Sequence, residues 1–132
     1  MNLNESRFEY LQEFICGDNK LTPSLSGPDL LELFYHLGFE EKYDSKEDGL
    51  PGRGKNNLKV ARRTYVLDKL TEINDSQRMD NLLEIVFNQD HFNRDPMKNI
   101  VEAVSQVNSL IQQDSYSLVV NGDGQYRVVF LT

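Results

Sequence analysis

The segment Gly49-Leu50-Pro51-Gly52-Arg53-Gly54-Lys55 carries the letters of a phosphate-cradling loop, G-x-x-x-x-G-K. That chemistry needs a buried strand before the loop, a helix after it, and a Ser or Thr beside the lysine to hold magnesium. Here the mostly charged run Tyr43 to Asp48 leads in, and Asn56 follows the lysine. Pro51 also removes a backbone donor that would face a phosphate. These letters do not predict a nucleotide site. His36 and His91 stand alone in the sequence, with no Ser or Cys nucleophile in a recognisable setting nearby. Asp90, His91 and Asp95 could be drawn as metal ligands, but they fall at a helix–loop–helix junction, where such residues cap helix ends. Glu40-Glu41 and Glu47-Asp48 pair carboxylates in polar stretches, with no apolar pocket to raise their proton affinity. Cys16 ends an amphipathic stretch as a small buried hydrophobe would. No catalytic constellation emerges, so the expectation is a protein without enzymatic activity, cofactor or metal.

The charge distribution offers more. Residues 1–52 carry a net charge of −7, residues 53–69 carry +5, and residues 70–132 carry −5, within a total of −7. An acidic whole excludes a domain whose entire surface clings to nucleic acid or anionic membrane. The basic island comprises Arg53, Lys55, Lys59, Arg62, Arg63 and Lys69. A glycine-rich lead into a helix start offers free N–H groups and a positive dipole end, and the arginines follow about a turn and a half later. Together these six residues form the candidate site for a phosphate, a nucleic-acid backbone or an acidic protein surface. The alternative is a solvated helix face that offsets acidic neighbours in the same chain, each pair contributing little. No aromatic residue interleaves the basic ones on their face, so base stacking lacks its platform.

The elements that must position these groups follow from periodicity and punctuation. Phe8, Leu11, Phe14 and Ile15 predict a helix from about 5 to 15, stopped at Gly17. A second helix starts at Ser26 or Gly27 with Pro28 in its first turn, buries Leu30, Leu31, Leu33, Phe34 and Leu37, and ends at Gly38. Residues 40–56 read as one long flexible loop. A third helix runs from about 57 to 73, with Leu58, Ala61, Tyr65, Val66, Leu70 and Ile73 on one face and Lys59, Arg62, Arg63 and Lys69 mostly on the other. A fourth starts at Asp75 or Ser76 and buries Met79, Leu82, Leu83, Val86 and Phe87. A fifth starts at Asp95-Pro96 and presents Met97, Ile100, Val101, Val104, Val107, Leu110 and Ile111. The period then changes: Tyr116–Val120 and Gln125–Phe130 flank Asn121-Gly122-Asp123-Gly124, a hairpin over 116–130. A lone two-stranded hairpin is marginal in water, so it must pack on the helices or gain a third strand.

A chain of 132 residues suits one domain. The expected fold class is α+β and mainly α: about five helices closed by a C-terminal β-hairpin, with a winged-helix-like arrangement as one way to assemble them. The single cysteine excludes an intrachain disulfide. No apolar run is long enough to span a bilayer, and the first residues lack the basic and apolar regions of a secretion signal, so no membrane role and a cytoplasmic location are expected.

Taken together, the order of features resembles a known group. A helical pair precedes the arginine-bearing Ala61-Arg62-Arg63-Thr64-Tyr65-Val66-Leu67, and Leu82-Leu83-Glu84-Ile85-Val86-Phe87 follows. Then come Ile100-Val101-Glu102-Ala103-Val104-Ser105-Gln106-Val107-Asn108-Ser109-Leu110, Asp114-Ser115-Tyr116-Ser117-Leu118, and Gly122-Asp123-Gly124-Gln125-Tyr126-Arg127-Val128. Over roughly residues 55–130 this is similar to the accessory N-terminal domains of bacterial abortive-infection proteins of the AbiJ kind. In that group such domains precede an effector, for example a HEPN ribonuclease-like or TIR domain. The resemblance implies a non-catalytic sensing or assembly module for antiviral defence, with another protein or its own downstream effector domain as partner. The alternative is a nucleic-acid-binding domain that uses segment 53–69.

Overall fold

The computed structural model describes residues 1–42, 49–52 and 59–132. Helix α1 (Phe8–Cys16) follows a 3-10 turn at Glu5–Arg7, whose cap Asn4 accepts a hydrogen bond from the Ser6 N–H. It stops at Gly17, where φ is +80° and the Gly17 and Asp18 N–H groups both reach the Glu13 carbonyl. Only glycine fits there, because a Cβ would lie 2.2 Å from the Pro23 carbonyl oxygen. Helix α2 (Gly27–Tyr35) opens with a reciprocal capping box: Ser26 accepts from the Asp29 N–H, and the Asp29 carboxylate accepts from the Ser26 N–H.

The next segment departs from the sequence expectation in two ways. Within the predicted loop 40–56, Leu50–Pro51 form strand β1, which pairs antiparallel with β2 (Lys59–Val60) in the register Leu50↔Val60 and Pro51↔Lys59. Leu50 is buried in the core and anchors this ribbon. Residues 43–48 and 53–58 lie outside the described residues, and with them most of the predicted loop and the predicted helix start. Helix α3 (Arg62–Ile73) begins five residues later than predicted, because β2 occupies 59–60 and Ala61, with ψ 161°, is still extended. A β-branched residue such as Val60 fits the pleated ribbon at least as well as a helix.

Helix α4 (Gln77–Val86) starts from the Ser76 cap as expected. A one-turn helix α5 (Gln89–Phe92), capped by Asn88, then buries His91 and Phe92. The predicted fifth helix starts later than Asp95. Asp95 caps only a turn through the Met97 N–H, Met97 is 90 % exposed, and helix α6 (Ile100–Ile111) begins at Asn99, which accepts from the Glu102 N–H. Asn99 with Glu102 is itself an N-cap spacing that competes with Asp95-Pro96.

Strands β3 (Tyr116–Val120) and β4 (Tyr126–Phe130) form the hairpin, with Leu118 opposite Val128. The sheet holds two strands, and α6 and α4 take the place of a third. Asn108 of α6 accepts from the Leu118 N–H at 2.7 Å and donates to the Leu118 carbonyl at 3.0 Å. On the other edge, the Val128 N–H donates to Glu84 of α4 at 2.9 Å. The fold is thus mainly helical with a C-terminal antiparallel hairpin, around a core that includes Phe34, Tyr65, Phe87, Val107 and Leu118. The edge-to-face pair Phe34–Tyr65, 5.6 Å between centroids, ties α2 to α3.

Candidate functional site

Of the six basic residues predicted as one site, the structure describes Lys59, Arg62, Arg63 and Lys69, and the last three each face a partner within the chain. Arg62 turns inward. Its Nε donates to the Leu25 carbonyl at 2.7 Å, its Nη2 to the Cys16 carbonyl at 2.8 Å, and its Nη1 faces Asp18 at 3.1 Å. One guanidinium therefore ties the C-terminal end of α1 to the loop that leads into α2, in the fork geometry that suits arginine. Arg63 faces Glu9 of α1 through Nε at 3.1 Å and also through Nη2. Both partners of that pair are more than half exposed, so it adds little to stability.

Lys69 corrects the helical-wheel expectation. It is only 8 % exposed and lies on the core side of α3, four residues after Tyr65. Its ammonium is 2.7 Å from Glu41 and sits over the Phe39 ring at 4.3 Å and the Tyr65 ring at 5.1 Å. The Tyr65 hydroxyl donates to the same Glu41 carboxylate at 2.9 Å; burial first, and Glu41 second, push its pKa well up. Lys59 sits half-buried in β2. Arg53 and Lys55 lie outside the described residues, as does the end of the Gly49–Lys55 motif.

A second constellation does converge. A cleft of about 600 Å³ opens between α2, α4, α5 and the β4 end of the hairpin. Leu25, Leu33 and Ile85 give it an apolar side. Carboxylates reach it from Asp29 and Glu32 on α2, Glu84 on α4 and Asp90 on α5. Arg94 and Arg127 also line it, yet each already faces an acid: Arg94 is 3.5 Å from Asp29, and Arg127 is 3.6 Å from Asp123. The Ser26 backbone N–H holds the Asp29 carboxyl below the usual range, with Arg94 adding to the effect. Glu84 spends one oxygen on the Val128 N–H. Among the described residues Glu32 and Asp90 have no side-chain partner.

His36 and His91, 55 positions apart in the sequence, both line this cleft. This corrects the expectation that they stand alone. Nothing in the spacing of residues within one helix reveals that α2 and α5 share a wall. His91 is 8 % exposed, and its Nε2 is shut from water without a hydrogen-bond partner. Burial, assisted by the charge of Arg94, pushes its pKa from 6.5 down to about 4, with Asp29 pulling slightly the other way. At neutral pH the ring is therefore an uncharged donor and acceptor. No Ser, Thr, Cys, Lys or Tyr lines the cleft among the described residues. The one thiol, Cys16, is fully buried elsewhere, and burial pushes its pKa up to about 11, so its thiolate is scarce. Among the described residues no three His, Cys, Asp or Glu side chains are grouped closely enough to hold a metal ion. What the arrangement can do is bind: it combines a greasy side, uncompensated negative charge and a neutral imidazole. No described helix is long and apolar enough to cross a membrane. Set against family models, curated proteins and solved structures, the chain matches none of them.

Proposed function

We propose that the chain is a non-catalytic, cytoplasmic docking module, the sensing or assembly part of a bacterial antiviral abortive-infection effector. Its partner is another protein or the effector's own downstream domain. Two things support this reading: the order of helices and hairpin that resembles the AbiJ-like accessory domains, and the placement of charge. The observation that carries it is that placement. The α3 cations face carboxylates and carbonyls of their own chain, while among the described residues the α2–α4–α5 cleft keeps acids without partners. A surface with unspent charge beside an apolar wall is where a partner gains most.

The test is a phage challenge of a bacterial host carrying the gene, in wild type and with Glu32→Lys plus Asp90→Lys. Both positions are exposed, so the fold survives the change. Protection by the wild type and its loss in the double variant are expected. Equal susceptibility of hosts with and without the gene overturns the defence role, and undiminished protection by the variant overturns the cleft as the docking surface.

A second reading, nucleic-acid binding by segment 53–69, draws on that segment's net charge of +5. The two readings differ in the sign of the charge they attract.

A further inference from the structure

We infer that the α2–α4–α5 cleft receives a lysine or arginine side chain of the partner protein. This names the chemistry of the contact and rests on the docking reading above. Charge comes first. Asp29, Arg94 and Arg127 are already matched, while among the described residues Glu32, Asp90 and the second oxygen of Glu84 are left over. An anion would meet two guanidiniums that each already face an acid, whereas a cation meets carboxylate oxygens without a partner among the described residues. Shape agrees. About 600 Å³ with Leu33 and Ile85 on one side suits a long aliphatic stem that ends in a charged head.

His91 is an independent sign that the wall is unfinished. It is more than nine-tenths buried in the lining of the cleft, and its Nε2 lacks a hydrogen bond. Buried polar atoms are ordinarily paired, and an unpaired one calls for an explanation. A neutral imidazole in the wall costs an incoming ammonium or guanidinium no repulsion. A metal cation is the poorer guest, because the described acids and imidazoles are not grouped for one.

The experiment is a ¹H–¹⁵N NMR titration of the full chain with three probes: a capped serine-rich peptide bearing adjacent lysines, the same peptide with norleucine for lysine, and spermidine. The lysine peptide should shift the amides of Ile85, Asp90 and His91, and the norleucine peptide should not. Because the whole chain is acidic, general attraction must be separated from the site. Glu32→Lys with Asp90→Lys should weaken the peptide by about tenfold or more, which is about 1.4 kcal/mol. Reversing two exposed acids away from the cleft, Glu5→Lys with Glu13→Lys, should weaken it far less. Glu32→Gln with Asp90→Asn should fall between the two, which guards against a folding artefact. Equal shifts from the norleucine peptide, equal weakening by the control reversals, or capture of spermidine without the peptide each overturn the inference. If none of the probes binds while the double reversal still abolishes phage protection, the docking reading stands and the cation inference alone falls.

Discussion

Arg62, Lys69 and His91 show how burial decides what a side chain is for. Arg62 links three acceptors on α1 and the following loop, so its truncation leaves the Leu25 carbonyl and the Asp18 carboxylate without a donor, while the Cys16 carbonyl keeps the Leu25 N–H. Charged hydrogen bonds of this kind contribute about 1.5–3 kcal/mol each. Lys69 lies inside the core between the Glu41 carboxylate and two aromatic rings. His91 takes the opposite course and stays neutral. Its pKa lies near 4 folded and near 6.5 unfolded, so between those values the unfolded chain binds more protons. Stability therefore falls as pH drops from 6.5 through 4, by up to about 3 kcal/mol from this one ring. His91→Phe keeps the ring volume and should flatten that part of the dependence when urea midpoints are compared at pH 7 and pH 4.5. A histidine NMR titration that places the His91 midpoint near 6.5 contradicts this.

At the scale of elements, the hairpin is held by side chains where another protein would use a strand. Asn108 satisfies both backbone groups of Leu118, and Glu84 satisfies the Val128 N–H, so both edges are blunted and fixed in register. Asn108→Ala should cost about 1–3 kcal/mol, since it strands a donor and an acceptor at a buried residue. Hydrogen exchange at the Leu118 amide should quicken in that variant while the α4 amides stay protected; unchanged protection at Leu118 contradicts the role. These devices also mark how far the sequence could be read. The stripes Leu30-Leu33-Phe34 and Met79-Leu82-Leu83-Val86 identify their helices, Ser26 and Ser76 their starts, and Asn121–Gly124 the turn, because each is a local pattern. The start of α3 was hidden because Lys59–Val60 pair with Leu50–Pro51, a contact across the chain. The start of α6 is ambiguous in the sequence because Asp95-Pro96 and Asn99 are rival caps, and burial selects Asn99: Met97, four residues before Val101, has nothing to pack on. Residue spacing cannot weigh such contacts.

At the scale of the molecule, the candidate site was the least legible part. The basic island stands out in the sequence because its charges are adjacent, yet Arg62, Arg63 and Lys69 each find an acidic partner from another segment. The cleft is invisible in the sequence because Glu32, Glu84, Asp90 and His91 come from three helices, and His36 from the cap of the first, that only packing unites. On the docking reading proposed above, the surface left open attracts positive charge, and Arg62, Arg63 and Lys69 serve the fold. A fluorescence-anisotropy titration at low salt tests it, with a labelled single-stranded RNA and a labelled lysine-rich peptide of equal length, against the wild type, Arg63→Glu, and Glu32→Lys with Asp90→Lys. The peptide should bind, the cleft reversals and not Arg63→Glu should abolish this, and the RNA should not bind. Salt-dependent RNA binding that Arg63→Glu removes, with a peptide indifferent to the cleft, would contradict it.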